Sequence, residues 1–180
     1  MTNYTFQSLL DFTRTTSGTF VGNNGLIQTT PASVNLLLQS QTFDNASWTD
    51  ATPNIPTVAA NSTIAPDGTT TADTLTAATG GTASQVRQAV TSTGAVAYTF
   101  SVFIKQGTST SSRILVRDNT NGLNFIEATA ITWSGGVPTV GGTTGTWATP
   151  IGFSNGWWRI AGTATAGAGA SVALGVSIFP

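Results

Sequence analysis

Seven carboxylates are the side chains of this chain that could carry acid–base chemistry. Histidine and cysteine are both absent, which excludes a Ser-His-Asp triad, a histidine general base, a thiol nucleophile and every imidazole or thiolate metal site. A glycosidase needs two facing carboxyl groups, about 5–5.5 Å apart for retention or about 6.5–9.5 Å apart for inversion. The sequence neither supports nor excludes such a pair. The seven residues are Asp11, Asp44, Asp50, Asp67, Asp73, Asp118 and Glu127.

Three of these acidic residues stand in turn sequences. Asp44, Asp67 and Asp118 are each followed directly by Asn or Gly, and in such turns an Asp side chain commonly accepts hydrogen bonds from backbone amides. We expect this capping role for each of them. The Gly-rich pieces of the chain lack the lysine and the strand-to-helix context of a phosphate-binding loop, so they are expected to be turns.

Five tryptophans are the residues that most suggest a binding function. An exposed indole can stack on the apolar C–H face of a sugar ring, whereas a buried one fills the space between two sheets. Trp157 and Trp158 are adjacent, so on a strand they face opposite sides and at most one lies between the sheets. We expect Trp48 and Trp157 in the core. The candidates for contact with a glycan or with a neighbouring subunit are Trp133, Trp147 and Trp158.

The composition predicts one domain with a neutral surface. The chain has 180 residues, of which 39% are hydrophobic, enough for a substantial core. Only 7% are charged, against about 25% in an ordinary soluble domain. Thr, Ser, Asn, Gln and Gly must therefore cover most of the surface, which suits a protein that packs in an assembly.

The distribution of charge and hydropathy argues against nucleic acid and membrane as partners. The net charge is −1 and the six basic residues are scattered along the chain, so no basic footprint is expected. Arg87 and Arg159 are expected to satisfy buried carbonyls or a carboxylate rather than to bind an anion. No run of about 20 apolar residues is present, and no N-terminal segment joins a basic start to an apolar stretch, so we expect neither a membrane span nor a signal peptide.

Short runs rich in Thr, Val, Ile and aromatic residues, separated by Gly, Pro, Asn and Ser, predict an all-β sandwich. Asn23-Asn24-Gly25 between two apolar runs predicts a β-hairpin. Residues 98–105 alternate, which places Tyr98, Phe100, Val102 and Ile104 on a core face and leaves Phe103 on a second face that needs its own cover. Strands are predicted at residues 35–40, 57–63, 72–77, 83–91, 96–105, 112–118, 123–132, 137–140, 145–152, 156–165 and 170–178.

An ordered set of segments resembles β-sandwich modules, related to carbohydrate-binding jelly rolls, that recur in bacteriophage virion proteins. The set comprises an NLL segment after Val34, a F-x-N-A-x-W-T segment at 43–49 and an APDGTTTAD-L segment at 65–75. Upstream, residues 10–32 resemble the lead-in that precedes such modules, and Asn155-Gly156-Trp157-Trp158-Arg159 is similar to their G-W-Y/W-R strand.

The resemblance implies a fold and a division of the chain. It implies a jelly-roll-like antiparallel β-sandwich over residues 34–180, preceded by an anchoring arm and hairpin over residues 1–33. It also implies a structural calcium ion in some modules, for which Asp67 and Asp73 are the candidates because hard cations take carboxylate oxygens from loops. No dense D-x-D-x-D-G pattern is present, and no other cofactor is expected.

The function implied is that of a non-enzymatic virion structural protein, a capsid decoration or head-fibre component on the particle surface. Its partners would be other virion proteins, first the major capsid protein, and further copies of itself, with a trimer fitting a shell's threefold points. The alternatives are a tail-fibre or receptor-binding component and a lectin-like module that binds host polysaccharide. Apolar residues at roughly helical spacing in residues 1–17 either fold onto their own domain or form an arm that docks on a neighbouring subunit. The residues expected to anchor the arm to a neighbour are Phe6, Leu9, Leu10, Phe12 and Phe20.

Overall fold

The computed structural model describes residues 18–21, 27–30, 34–49, 56–78 and 84–180. The chain divides into two units, one ending at Leu36 and one running from Leu37 to Pro180. In the first unit, β1 (Gly18–Val21) and β2 (Ile27–Thr30) pair antiparallel, which confirms the predicted hairpin. Of the predicted anchoring residues, Phe20 lies in β1. The others, Phe6, Leu9, Leu10 and Phe12, lie outside the described residues.

The second unit is built from antiparallel strands. Its described residues contain a single 3₁₀ turn at Ser154–Gly156 and no α-helix, and hence no helix with the length and hydropathy that a membrane crossing needs. The predicted all-β class is confirmed. The strands are β3 (Thr57–Thr63), β4 (Ala72–Thr76), β5 (Val86–Ser92), β6 (Ala97–Lys105), β7 (Ser111–Asp118), β8 (Leu123–Ser134), β9 (Val137–Thr144), β10 (Thr146–Trp147), β11 (Ile151–Gly152), β12 (Trp157–Thr165) and β13 (Val172–Phe179).

Two sheets and a hairpin form this unit. The larger sheet has five strands in the order β5-β13-β7-β8-β9. In the smaller sheet, β12 pairs with β6 along one edge and with the short strands β10 and β11 along the other. The connections from β5 to β6 and from β12 to β13 both pass from one sheet to the other, so the pairs β5/β13 and β6/β12 roll together as in a jelly roll. Strands β3 and β4 pair with each other.

The core lies between the inner faces of the two sheets. The smaller sheet contributes Phe100 and Ile160, and the larger one contributes Ile126, Ile131 and other buried side chains of the same cluster. In β6 the predicted alternation is confirmed: Phe100 is buried, and Tyr98, Val102 and Ile104 pack partly buried against the cluster. On the opposite face, Phe103 is covered edge-on by Phe153, with ring centroids 5.1 Å apart.

The strand predicted at residues 35–40 is wrong. Residues 37–41 form a bend and turns, and Gln39 has a φ of 51°, in the left-handed region. The side chain of Gln88 replaces a pairing strand: its Oε1 accepts from the amide of Leu38 at 2.6 Å, and its Nε2 donates to the Leu38 carbonyl at 2.8 Å. Because this buried amide satisfies both backbone groups, the apolar NLL pattern does not need a strand.

The prediction for the two core tryptophans is half right. Trp48 belongs to the core cluster and donates its indole N–H to the Gln39 carbonyl at 2.9 Å. Trp157 is buried, but it lies on the face of β12 opposite Ile160, outside that cluster. Its indole N–H donates to the Ile64 carbonyl at 2.7 Å, from the chain that follows β3. The expectation that Trp157 fills the space between the sheets is therefore wrong.

Asp118, at the end of β7, is fully buried and ties two connections to the sheet. Its carboxylate accepts from the backbone and side-chain nitrogens of Asn121 at 3.0 and 2.8 Å, and from the Gly167 amide at 3.0 Å. Burial by itself raises the pKa of Asp118, but the hydrogen bonds from Asn121 and Gly167 outweigh burial and lower the pKa below its ordinary value. The predicted capping role of Asp118 is confirmed.

Replacing Asp118 should destabilise the sandwich. Asp118→Ala removes the buried acceptor of three part-buried hydrogen bonds from Asn121 and Gly167, so we expect a loss of about 2–3 kcal/mol in the free energy of unfolding, measured by urea denaturation. The expected capping by Asp44 is not seen among the described residues, where its exposed carboxylate accepts no hydrogen bond. Asp44→Ala is therefore the control and should change the free energy of unfolding by about 0.5 kcal/mol or less. Equal losses in the two variants would contradict this role.

The same carboxylate predicts an acid dependence of stability. Because the folded-state pKa of Asp118 is lowered, its contribution is complete above the unfolded pKa of about 3.9 and is lost as pH falls through the lower folded value. Unfolding curves of the parent should therefore lose stability more steeply below about pH 4 than those of Asp118→Asn. Parallel profiles would show that the buried carboxylate does not titrate as expected.

Candidate functional site

Three of the six basic residues of the chain converge on the outer face of the larger sheet. Arg87 lies on β5, and Arg113 and Arg117 lie on β7; β13 runs between these two strands. Directly opposite residues of paired strands share a face, and Arg87 stands opposite Ser177, Arg117 opposite Gly175 and Arg113 opposite Phe179. The arginines are scattered in sequence but clustered in space.

The floor of this cluster is the outward face of β13. Leu174, Val176 and Ile178 point into the core, so Gly175 and Ser177 face outwards between the arginine-bearing strands. A Cβ at position 175 would stand 3.0 Å from Arg87 Nη2 and 3.0 Å from Asn119 Nδ2. Glycine at this position therefore allows a guanidinium and an amide to meet above the middle of the sheet.

The cluster encloses an open groove, which we call the basic groove. Its volume is about 320 Å³. Besides the arginines, the lining contains the amides of Gln85 and Asn119, the Ser177 hydroxyl, and the apolar side chains of Leu115 and Phe179. The lining thus combines charged donors, neutral polar groups and apolar surface, which is the mixture found in small-molecule binding sites.

One wall of the basic groove is held by an ion pair. Arg113 Nη2 donates to Glu127 Oε1 across β7 and β8, and Glu127 Oε2 accepts from Asn124 Nδ2 at 3.1 Å. Asn124 Oδ1 in turn accepts from Arg117 Nη1 at 3.1 Å. The Arg113 guanidinium carbon also lies 5.0 Å from the centroid of the Phe179 ring, within cation–π range.

The other wall is not neutralised in the same way. Among the described residues, the Arg87 guanidinium has no hydrogen-bond or ion-pair partner, so the expectation that Arg87 satisfies a carbonyl or a carboxylate is not met there. Arg113 Nε is buried and also lacks a partner in that part of the chain. Among the described residues, three guanidinium groups thus share one carboxylate, that of Glu127.

The three predicted contact tryptophans are partly buried and lie away from the basic groove. Trp147 packs against the core cluster and donates its indole N–H to the Thr144 carbonyl at 3.0 Å. Trp158 donates to the Gly136 carbonyl in the β8–β9 turn at 2.9 Å. Trp133 lies near the end of β8, opposite Pro138. The sheet register does not bring these indoles together into one platform, and their contact with a glycan or subunit stays a prediction.

The two calcium candidates both accept hydrogen bonds. Asp67 Oδ1 accepts from the Thr69 amide at 2.9 Å and from its hydroxyl at 2.7 Å, and these bonds lower the pKa of Asp67, which confirms its capping role. Asp73 accepts from the amides of Phe43 at 2.7 Å and Asn61 at 2.9 Å. Over residues 34–49, 56–78 and 84–180, no group of three or more acidic side chains is placed to share a metal ion. A calcium site stays a prediction.

No family model matches the chain, and neither a curated protein nor a solved structure is significantly similar to it. Its function must be inferred from its own residues. The chemistry that the basic groove offers is binding: guanidinium groups and amides donate hydrogen bonds to an oxyanion. The sequence indicates the part of the groove on β7, because Arg113, Leu115 and Arg117 occupy every second position of one strand and so share a face. The rest of the groove depends on the long-range pairing of β5 and β7 with β13.

The ion pair of the groove predicts measurable coupling. Arg113→Gln, Glu127→Gln and the double variant form a mutant cycle in which we expect a coupling energy of about 1–2 kcal/mol in the free energy of unfolding. The reason is that Glu127 is buried, so either single change leaves a charge without its partner. Additive losses in thermal and urea unfolding would show that the pair does not hold the wall of the groove.

Proposed function

We propose that the chain is a non-enzymatic structural protein of a bacteriophage particle, displayed on the surface as a capsid decoration or head-fibre protein. The phage context is supported by the ordered segments that resemble virion modules. The neutral composition supports a place in an assembly, because only 7% of the residues are charged and close packing of copies then costs little charge desolvation.

The observation that carries the proposal is an exposed apolar patch on the outer face of the smaller sheet. Ile151, Arg159 and Phe103 form a cross-strand row over β11, β12 and β6. Phe153 meets Phe103 edge to face, and the three apolar side chains are 43–52% exposed. We name Ile151, Phe153 and Phe103 the aromatic patch. Exposed apolar side chains grouped on one face of a sheet suit burial against another subunit.

A non-enzymatic role is supported by how the carboxylates are used. Asp67, Asp73 and Asp118 accept backbone amide hydrogen bonds, and Glu127 pairs with Arg113. A general acid or base needs a proton-accepting oxygen that faces a substrate, whereas these four carboxylates are engaged in holding loops and strands.

Attachment to the particle is assigned to residues 1–33. Changing four apolar residues of the arm to Ser in the full-length chain should greatly reduce association with purified particles, measured as copies per major capsid protein, because most of the apolar surface expected to bind a neighbour is removed. A control with Thr13, Thr15 and Thr16 changed to Ala should bind as the parent does. The residues to be changed are Phe6, Leu9, Leu10 and Phe12.

The copy number in particles separates the alternatives. A number comparable to that of the major capsid protein supports a decoration or head-fibre role. Only a few copies per particle would indicate a tail-fibre or receptor-binding component, and absence from purified particles would overturn the virion proposal.

The aromatic patch predicts self-association. Phe103→Ser with Phe153→Ser should shift the oligomer towards monomer in analytical ultracentrifugation, while the free energy of unfolding changes by about 1 kcal/mol or less, since both rings are half exposed. Leu123→Ser removes a side chain that is 53% exposed outside the patch and serves as the control. An unchanged distribution of oligomers in the double variant would show that the patch is not the contact.

A further inference from the structure

We propose that the basic groove on the larger sheet is a binding site for a carboxylate-bearing saccharide, such as a polysaccharide rich in uronic acid. The basic groove is separate from the aromatic patch, which lies on the other sheet. Saccharide binding in the groove is independent of the proposed role in a virus particle. Three features of the groove support this site: donors without an acceptor among the described residues, a floor whose backbone groups are paired on both sides, and a lining that is both polar and apolar.

The donors point to an oxyanion. The Arg87 guanidinium and the Asn119 amide meet above Gly175, each 3.0 Å from the place of an absent Cβ, and the residues that line the groove include no carboxylate beside them. Arg117 enters from the other strand, opposite Gly175. A planar carboxylate can accept two parallel hydrogen bonds from one guanidinium, so a single carboxylate would satisfy the unpartnered side of the groove.

The backbone of the floor argues against a peptide that binds by strand addition. Strand β13 is paired with β5 on one side and with β7 on the other, so its N–H and C=O groups are already engaged. A peptide that binds along a sheet usually adds a strand to a free edge, and the floor of this groove offers no such edge. A ligand must be recognised by side chains alone.

The remaining lining fits a sugar ring. Gln85, Asn119 and Ser177 supply neutral donors and acceptors for hydroxyl groups, and Leu115 and Phe179 supply apolar surface for the C–H face of the ring. The volume of about 320 Å³ is at the small end of the range of about 300–1,000 Å³ for small-molecule sites. We therefore assign one acidic sugar residue to the groove, with its neighbours in the polysaccharide outside it.

The test is calorimetric titration of the full chain with trigalacturonate. Its methyl ester, which keeps the sugar and removes the charge, and inorganic phosphate are the comparison ligands. We expect trigalacturonate to bind, the ester to bind at least about tenfold more weakly because it loses the charge-assisted hydrogen bonds, and phosphate to compete poorly. Added salt should weaken binding, since the groove is open to solvent.

Variants locate the site. Arg87→Gln and Arg117→Gln should each weaken binding at least about tenfold, whereas Arg159→Gln removes the same charge from the other sheet and should bind as the parent does. Gly175→Ala should displace the two donors and weaken binding. Its control is Gly141→Ala, because the nearest atom to a Cβ at position 141 is 3.6 Å away. Circular dichroism and unfolding curves confirm that each variant is folded.

Three results would overturn the proposal. The first is the absence of trigalacturonate binding, or equal binding of its methyl ester. The second is phosphate competing as well as the saccharide, which would make the groove a general anion site. The third is unchanged affinity in folded Arg87→Gln and Gly175→Ala. None of these results bears on the copy number of the chain in particles, so the virion proposal stands or falls separately.

Discussion

Strand β13 is hydrogen-bonded on both sides, to β5 and to β7, and the two faces of the larger sheet depend on this double pairing. On the inner face, Leu174, Val176 and Ile178 join the core, and full burial of such a side chain is worth about 1.5–3 kcal/mol. On the outer face, Gly175 and Ser177 form the floor of the basic groove. The same alternation that stabilises the sandwich therefore places small residues between arginine-bearing strands.

Buried polar side chains on the strands that pair with β13 hold the adjoining loops in place. Asp118 ends β7 opposite Leu174 and binds the Gly167 amide in the β12–β13 connection. Gln88, opposite Val176 on β5, holds the chain at Leu38 through two hydrogen bonds. Buried polar groups such as these are costly unless every hydrogen-bond partner is in place. They therefore determine where the loops cross the sandwich, and they contribute to its stability.

Local sequence patterns predicted secondary-structure elements better than the long-range contacts between them. The alternation in β6, the Asn-Gly hairpin and the carboxylate cap of Asp118 follow from chemistry within a few residues, and all three are present. The segment at residues 35–40 was misassigned, because a side chain from β5 supplies the hydrogen bonds that a strand would have supplied. Trp157 was misplaced because its cover comes from the chain after β3, far away in sequence.

The basic groove could be predicted only in part, for the same reason. Arg113, Leu115 and Arg117 mark one face of one strand, but nothing local shows that β13 separates them from Arg87. The net charge of −1 and the scattered positions of the basic residues in the sequence predicted no basic surface. Net charge carries no information on position, and three of the six basic residues line one groove. The sandwich thereby carries two chemically different outer faces. The one on the smaller sheet groups exposed apolar side chains around Arg159, and the one on the larger sheet groups three arginines.

The most direct test of this account is nuclear magnetic resonance of the ¹⁵N-labelled full chain during titration with trigalacturonate. The side-chain N–H signals of Arg87, Arg117 and Asn119 should shift with one common affinity, while the indole N–H signals of Trp133, Trp147 and Trp158 stay in place. This result would place an acidic sugar on the outward face of β13. Shifts confined to the indole signals, with the groove unaffected, would contradict the account and return the binding function to the tryptophans.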